Sequence, residues 1–546
     1  MDPHSRRRAT AAAAGLTCAL AALFGTVGFI LRPQPAGAAP SAVPPAAVPA
    51  TPAPLVPAPL IPATTPRAAP DARLAARIRA RIAAALDRAA SETKGRVAAH
   101  EVQVSVHVRE AARDDLVAIE SDRPMRPASN LKLVTSSAAL VLLGADWRFE
   151  TVLETNGSVE NGILHGDLVA RAGGDPLYER GAGGKGDGSV DALLAPAALA
   201  VGGHGVRAID GALVLDELDY ALPAPGPAWP ETNQRWAEFC ALAGGFSANA
   251  GCLTATVKSA GAGDAAEVRV EPRHCGLERK GRVTTGAAKS KLDVRVEARA
   301  GSVLVDGSIP KSVPSWSTRF AAPDPVELFG NALAGALADR GITIAGGIRR
   351  AHAPHAGRWT ELARISTPIA AVIDAMNTDS NNACADQMFL ALGHARGGAG
   401  TREGGRTAVA RALERLGIPA DGLVQVDGSG LSRENRVTAR QITTLIDAVL
   451  RLDEKTARAF VDSMAVASES GTLDDRMRDP KLAGRVRAKT GFIAGTSALS
   501  GILDAKDGRR LVFSILVEYP PTDGLNRTCW KPMEDAICSE LAGADG

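Results

Sequence analysis

The stretch from Asp71 to Lys94, "DARLAARIRARIAAALDRAASETK", sets Leu74, Ile78, Ile82 and Leu86 four residues apart among small and charged neighbours, the spacing of one apolar helix face. After Glu101 the period drops to two. "EVQVSVHVRE" alternates apolar and polar and "DDLVAIES" follows a short turn, which predicts a β-hairpin. "RPASNLKLVTSSAALVLLG", Arg126 to Gly144, then predicts a buried helix. From about Arg148 to about Arg350 the texture is one of short strand-like runs broken by turns, such as "TNGSVENGILHGDLVARAGGDP" and "SKLDVRVEARAGSVLVDG". Asn156-Gly157 and Asn161-Gly162 are hairpin turn signals there, and "GAGGKGDGS" marks an exposed loop. Helical patterning returns at "STPIAAVIDAMNTDSNNACADQMFLALG", with Thr367 the expected N-cap and Pro368 the first helical position. Thr438 and Gln441 form a capping box before "ITTLIDAVLRL". The chain closes on a strand meander, "GRVRAKTG", "TSALSGILDA" and "RRLVFSILVEY", and a helix around Met533 to Leu541.

This order predicts an α+β, multi-domain chain in which one antiparallel sheet, flanked by helices, is shared by both ends. The expected parts are 71–147 and 351–546 of one domain, with the strand-rich block 148–350 inserted between them. Ahead of these lie Arg6, Arg7 and Arg8, an uncharged and mostly apolar run from Ala9 to Leu31, and Ala36-Gly37-Ala38, which together read as a signal peptide over 1–38. The protein is therefore expected in the periplasm or cell envelope. The apolar run has 23 residues, enough to span a bilayer, so a retained N-terminal anchor is the alternative and the only expected membrane contact. Residues 39–70 are a Pro/Ala-rich linker that favours extended polyproline geometry, at ~3.1 Å per residue.

Charge and cysteine content narrow the function. Sixty-two Lys and Arg against 60 Asp and Glu leave a net of +2, which excludes the basic footprint of a nucleic-acid binder. Seven cysteines occur; Cys18 falls in the signal segment, and the remaining six in an exported chain permit disulfides. Cys240 with Cys252, and Cys529 with Cys538, are the locally plausible pairs. There is no C-x-x-C and no clustered histidine, so neither a metal nor a cofactor is expected.

The candidate chemistry starts at Ser129 and Lys132. Serine is a weak nucleophile that needs a neighbouring base. Lysine serves as one only when desolvation or a nearby cation destabilises its ammonium. At i and i+3 of a helix the two side chains share a face, with Leu131, Leu133, Val134 and Leu140 supplying apolar surface. S-x-x-K recurs at Ser91–Lys94 and Ser308–Lys311, but neither has an apolar helix behind it. Two later elements add weight: "DSNNACADQ" gives Ser380 and Asn382 in S-x-N spacing, and "RAKTGFIAG" gives Lys489-Thr490-Gly491 on a late strand. S-x-N also occurs at Ser247–Asn249, whereas K-T-G appears once.

S-x-x-K opening a buried helix, S-x-N between helices and K-T-G on a strand, in this order, form the motif set of penicillin-binding proteins and serine β-lactamases. Ser129 and Ser380 are 251 positions apart, far more than in β-lactamases. From Asp71 onward the chain resembles the class C, low-molecular-mass penicillin-binding proteins, which are peptidase S13-like D-alanyl-D-alanine carboxypeptidases and endopeptidases with two domains inserted between these motifs. "GDLVARAGGDPLY" and "DGSGLSRENRVTARQ" look like further stretches of that family, although Asp427 and Ser429 in the second fit a turn as well as a catalytic role. Asn381 stands where aspartate is common in relatives. The resemblance implies that Ser129 attacks the D-Ala-D-Ala carbonyl of a peptidoglycan stem peptide, Lys132 takes its proton and Ser380 relays a proton to the leaving amine. It further implies that Asn382 orients the substrate amide, that Lys489 and Thr490, next to Gly491, meet the terminal carboxylate, and that backbone N–H groups of Ser129 and Phe492 form the oxyanion hole. β-Lactam antibiotics would acylate the same serine. The rival readings are a serine β-lactamase, against which stand the long insertion and the lack of an evident E-x-x-x-N loop, and a catalytically silent cell-wall-binding scaffold. Residue by residue, Ser129 as an N-cap, Lys132 as a snorkelling side chain and Ser380 and Asn382 as loop residues are the bland alternatives.

Overall fold

A computed structural model describes residues 71–178, 189–353, 357–395 and 397–543. The signal segment, the Pro/Ala tract and most of the glycine-rich loop lie outside the described residues. Apart from the inserted segment, the elements run α1 (Ala72–Glu92), β1 (Gln103–Glu110), β2 (Asp115–Ile119), α2 (Leu131–Leu143) and β3 (Arg148–Thr155). After the insertion come β4 (Thr360–Pro368), α3 (Ile369–Asn377), α4 (Asn382–His394), α5 (Arg402–Arg415), α6 (Ala439–Leu450) and α7 (Glu454–Asp462). The last elements are β5 (Ala465–Val466), β6 (Val486–Ile493), β7 (Thr496–Asp504), β8 (Arg510–Glu518) and α8 (Lys531–Ala542).

The two ends of the chain meet in a six-stranded sheet of order β5-β6-β7-β8-β1-β2. Its pairs are antiparallel, with Val106 opposite Ile515 and Lys489 opposite Ser500. Period-two alternation sends side chains of one strand to two cores. On β8, Val512 and Leu516 join α2, α4 and α6, while Leu511, Phe513, Ile515 and Val517 join α1 and α8. Burial on both faces explains why "TSALSGILD" reads as nearly all apolar or small rather than alternating. α1 is capped by the Asp71 carboxylate, which accepts from the Leu74 N–H. Its buried positions are Leu74, Ile78, Ala85 and Ala89, whereas Ile82 and Leu86 are half-buried. A strict spacing of four drifts about 40° per step on a 3.6-residue helix, so the contact line moves off the leucine–isoleucine row.

β3 and β4 pair antiparallel, Phe149 opposite Thr367, and carry the chain into and out of the insertion. Between them are a five-stranded sheet that includes β3 and β4, sheets of four, three and four strands, and the helices Val190–Gly203 and Pro325–Ala338. Asn161-Gly162 does join two antiparallel strands, Ser158–Glu160 and Ile163–His165. Asn156-Gly157 does not close a hairpin: β3 pairs with β4 and Leu168–Arg171, so the turn passes the chain from one sheet to another. The Thr438–Gln441 capping box forms as expected. Thr367 instead belongs to β4, and Pro368 takes the N-cap position of α3.

Neither plausible disulfide is present. Cys240, Cys529 and Cys538 are free, buried thiols. Cys529 and Cys538 fall on one continuous helical run, Asn526–Trp530 into α8. Nine residues along a helix is about 13 Å of rise and half a turn of rotation, out of disulfide reach. Among the described residues no group of His, Cys, Asp and Glu is arranged to hold a metal ion, and no helix is long and apolar enough to cross a membrane.

Candidate active site

Three segments converge where α2 begins. The serine is held by a single 3-10 turn, Ala128–Asn130, that feeds directly into α2, so Ser129 precedes the α-helix and Lys132 lies in its first turn. Ala128 has φ +44°, a left-handed conformation that a side chain adopts only when its surroundings hold it there. Those surroundings are tight. A Cβ on Gly491 would come 2.9 Å from the Pro127 carbonyl, and one on Gly430 would come 1.8 Å from the Ala128 carbonyl. Asn130, with its amide turned to satisfy both neighbours, donates to the Lys489 carbonyl (2.5 Å) and accepts from the Leu499 N–H (3.2 Å). The S-x-x-K turn is thereby stitched to β6 and β7.

Lys132 is fully buried, and its Nζ has three partners. It donates to Asn382 Oδ1 at 2.6 Å and to the Ser429 carbonyl at 2.8 Å, and lies 3.0 Å from Ser129 Oγ. The first two partners are carbonyl oxygens and can only accept. A neutral amine has two N–H bonds and one lone pair, so those acceptors use both hydrogens and the lone pair is left facing the Ser129 hydroxyl. Burial drives the ammonium toward that neutral form: desolvation pulls Lys132 down to about 8, against the opposing charges of Asp386 and Asp427. The two lysines also interact: burial first and the charge of Lys132 second hold Lys489 well below the usual lysine range. Lys489 is also fully buried and donates to the Thr490 carbonyl (2.8 Å).

The other motif residues are placed less directly. Asn382 opens α4 and is held from both ends, since its Nδ2 donates to the Phe239 carbonyl (2.9 Å) of the inserted segment. Ser380 sits two residues earlier, half-buried and left-handed at φ +61°, and its hydroxyl makes no hydrogen bond among the described residues. Thr490 donates to Thr472 Oγ1 (2.8 Å). Gly491 packs on the Ser129 turn, and Phe492 is 56% exposed. β5 covers β6 only opposite Arg487 and Ala488, so no strand of the sheet pairs with that edge from Lys489 to Ile493.

Sequence reasoning did not reach several of these partners. The Ser429 and Phe239 groups that hold the site are backbone carbonyls, which carry no side-chain signature. Asp427 is structural: its carboxylate accepts from the Gly430 and Ser432 N–H groups, Asn435 Nδ2 and the Trp229 indole. Asp386, one helical turn beyond Asn382, accepts from the Gly428 N–H (2.8 Å), and its i+4 position was the available clue.

Residues 83–535 match the model of the D-Ala-D-Ala carboxypeptidase 3 (S13) family. The chain belongs to that family. Membership makes it a serine-type D-Ala-D-Ala carboxypeptidase. Its relatives include a D-alanyl-D-alanine carboxypeptidase of Actinomadura sp. (strain R39), 30% identical over 451 residues that cover 80% of each chain. They also include the D-alanyl-D-alanine carboxypeptidase DacB of Haemophilus influenzae, 26% identical over 71% of this chain and 79% of the relative. A similar fold is seen in the crystal structure of penicillin binding protein 4 (dacB) from Haemophilus influenzae, with a TM-score of 0.68 at 22% identity over 83% of this chain and 99% of that one.

Proposed function

We propose that Ser129 is the nucleophile of a carboxypeptidase and/or D,D-endopeptidase acting on peptidoglycan stem peptides, with Lys132 as its base. The observation that carries this reading is the hydrogen-bond inventory of Lys132, whose two carbonyl acceptors leave its lone pair for Ser129. In acylation the Ser129 O–H bond breaks, its proton passes to Lys132 Nζ, and the oxygen bonds to the carbonyl carbon between the two D-alanines. The C–N bond then breaks as Ser380, whose hydroxyl makes no hydrogen bond among the described residues, gives its proton to the departing amine and takes up the proton held by Lys132, which restores both groups. Asn382 holds both Lys132 and the substrate amide. The backbone N–H groups of Ser129 and Phe492 hold the developing oxyanion, an element worth ~10²–10³ in rate. Water then attacks the acyl-enzyme and releases the shortened peptide.

The substrate's terminal carboxylate meets Lys489 and the Thr490 hydroxyl. An incoming carboxylate restores the Lys489 ammonium that burial suppresses, so the charge-assisted contact forms only with an anionic ligand. The uncovered edge of β6 beside the Ser129 turn accommodates an extended peptide as an added strand. β-Lactams, which present a carboxylate beside a reactive carbonyl, acylate Ser129. The protein works outside the cytoplasm, after export on residues 1–38, either released or tethered there. The block between the two halves of the sheet shapes access, since its Phe239 carbonyl already holds Asn382. Fluorescent penicillin labelling tests the reading: stable labelling is lost in Ser129→Ala, and a defined muropeptide pool loses terminal D-alanine or cross-links. Rapid drug turnover, or no labelling at all, overturns it.

A further inference from the structure

Two buried carboxylates stand behind Lys132, and they are built differently. Asp427 is saturated by four donors. Asp386 has one oxygen on the Gly428 N–H, while the other, Oδ2, is buried without a hydrogen-bond partner among the described residues. Asp386 lines a small cavity of about 90 Å³ together with Trp229, Phe389 and Arg402, a space that holds a few waters on the order of one per 30 Å³. The anchored oxygen matters to the site because Gly428 precedes Ser429, whose carbonyl fixes Lys132. The groups facing Lys132 are Asp386, Asp427, the Cys384 thiol and Lys489; those facing Asp386 are Asp427, Lys132 and Arg402. Burial first, and the charge of Asp427 second, push Asp386 up to about 7, with Lys132 and Arg402 opposing. Its charge is therefore adjustable near neutrality.

We infer that Asp386 is a positioning residue for acylation: its carboxylate is the counter-charge for the ammonium formed on Lys132, held in place through the oxygen that accepts from Gly428. The inference rests on the Ser129–Lys132 reading above. The proton moves from Ser129 to Lys132 and Asp386 makes no bond to substrate, so its effect is electrostatic. An anionic Asp386 favours the ammonium. Removing it lowers the proton affinity of Lys132 and also weakens the transition state in which Lys132 gains its proton.

The test is the pH dependence of Ser129 acylation by a fluorescent penicillin in the full chain. Asp386→Asn keeps a carbonyl acceptor for Gly428, so its acidic limb moves down by about one unit and its plateau rate falls roughly tenfold. Arg402→Gln, away from the reacting atoms, removes a cation that favours the Asp386 anion, and its limb moves the same way by less. An unmoved limb in folded Asp386→Asn, an upward shift, or an equal loss at every pH overturns the inference. If Asp386→Asn does not fold, an unmoved limb in Arg402→Gln overturns it. Wild-type labelling that survives Ser129→Ala sinks the underlying reading, whereas Ser129-specific labelling with an unmoved limb sinks only the role of Asp386.

Discussion

Lys132 Nζ and Asn382 Oδ1 lie 2.6 Å apart, although 250 residues and the whole inserted block separate them in sequence. The contact fixes the amine's orientation as well as its position, because the amide oxygen accepts one hydrogen and the Ser429 carbonyl takes another. Lys132→Ala removes the proposed base, and the rate of penicillin acylation should fall ~10²–10⁴-fold, the usual contribution of a positioned base. Lys132→Arg should fail as completely, since a guanidinium keeps its proton and has no lone pair to offer. Both are read by stopped-flow labelling, with circular dichroism as a folding control.

The depressed Lys132 dictates the pH profile. Below about 8 the amine is protonated and cannot accept the Ser129 proton, so the acylation rate constant should rise with pH, about tenfold per unit well below that point, and level off above it. A rate that is flat between pH 6 and 9 contradicts a lysine base. The same depression has a stability consequence. The unfolded chain binds the Lys132 proton up to the ordinary lysine value, so between about 8 and that value the unfolded state holds more protons and this residue's contribution to stability rises with pH.

Gly430 tests the packing under Ser129. Its φ is +81°, and a Cβ there would overlap the Ala128 carbonyl at 1.8 Å. Gly430→Ala should therefore cost about 2 kcal/mol or more, combining left-handed strain with displacement of the Ser129 turn. Differential scanning calorimetry and labelling should show a lower midpoint together with slower acylation. A variant as stable and as fast as wild type shows that the two segments are not in contact.

What the sequence made legible divides along a physical line. Ser129, Lys132, Asn382 and Lys489 could be singled out because their motifs are local in the chain and their residue types are chemically specific, and the structure brings the first three together. The shared sheet was legible because β6, β7 and β8 are long, apolar and separated by turns. The carbonyls of Ser429 and Phe239 were invisible, since any residue supplies one and only the fold aims it. Asn156-Gly157 encodes a turn but not what its flanking strands pair with, and here they pair elsewhere. Cys529 and Cys538 looked paired by sequence distance, and a helix running through both set them on opposite sides.

Asn382→Asp separates orientation from charge at the site. The substitution keeps an oxygen 2.6 Å from Lys132 Nζ but makes it anionic, and an opposite charge at that range raises a lysine by ~1–3 units. The acidic limb of acylation should therefore move up in pH, opposite to the shift expected for Asp386→Asn. Ionised aspartate also has no hydrogen to donate, so the Phe239 carbonyl loses its partner and the inserted segment loses a tie to α4. Acylation at pH 7 should fall at least tenfold and recover in part at pH 9 or above. A loss that is equal at both pH values means that Asn382 acts by shape alone, and that the charge state of Lys132 is set without it.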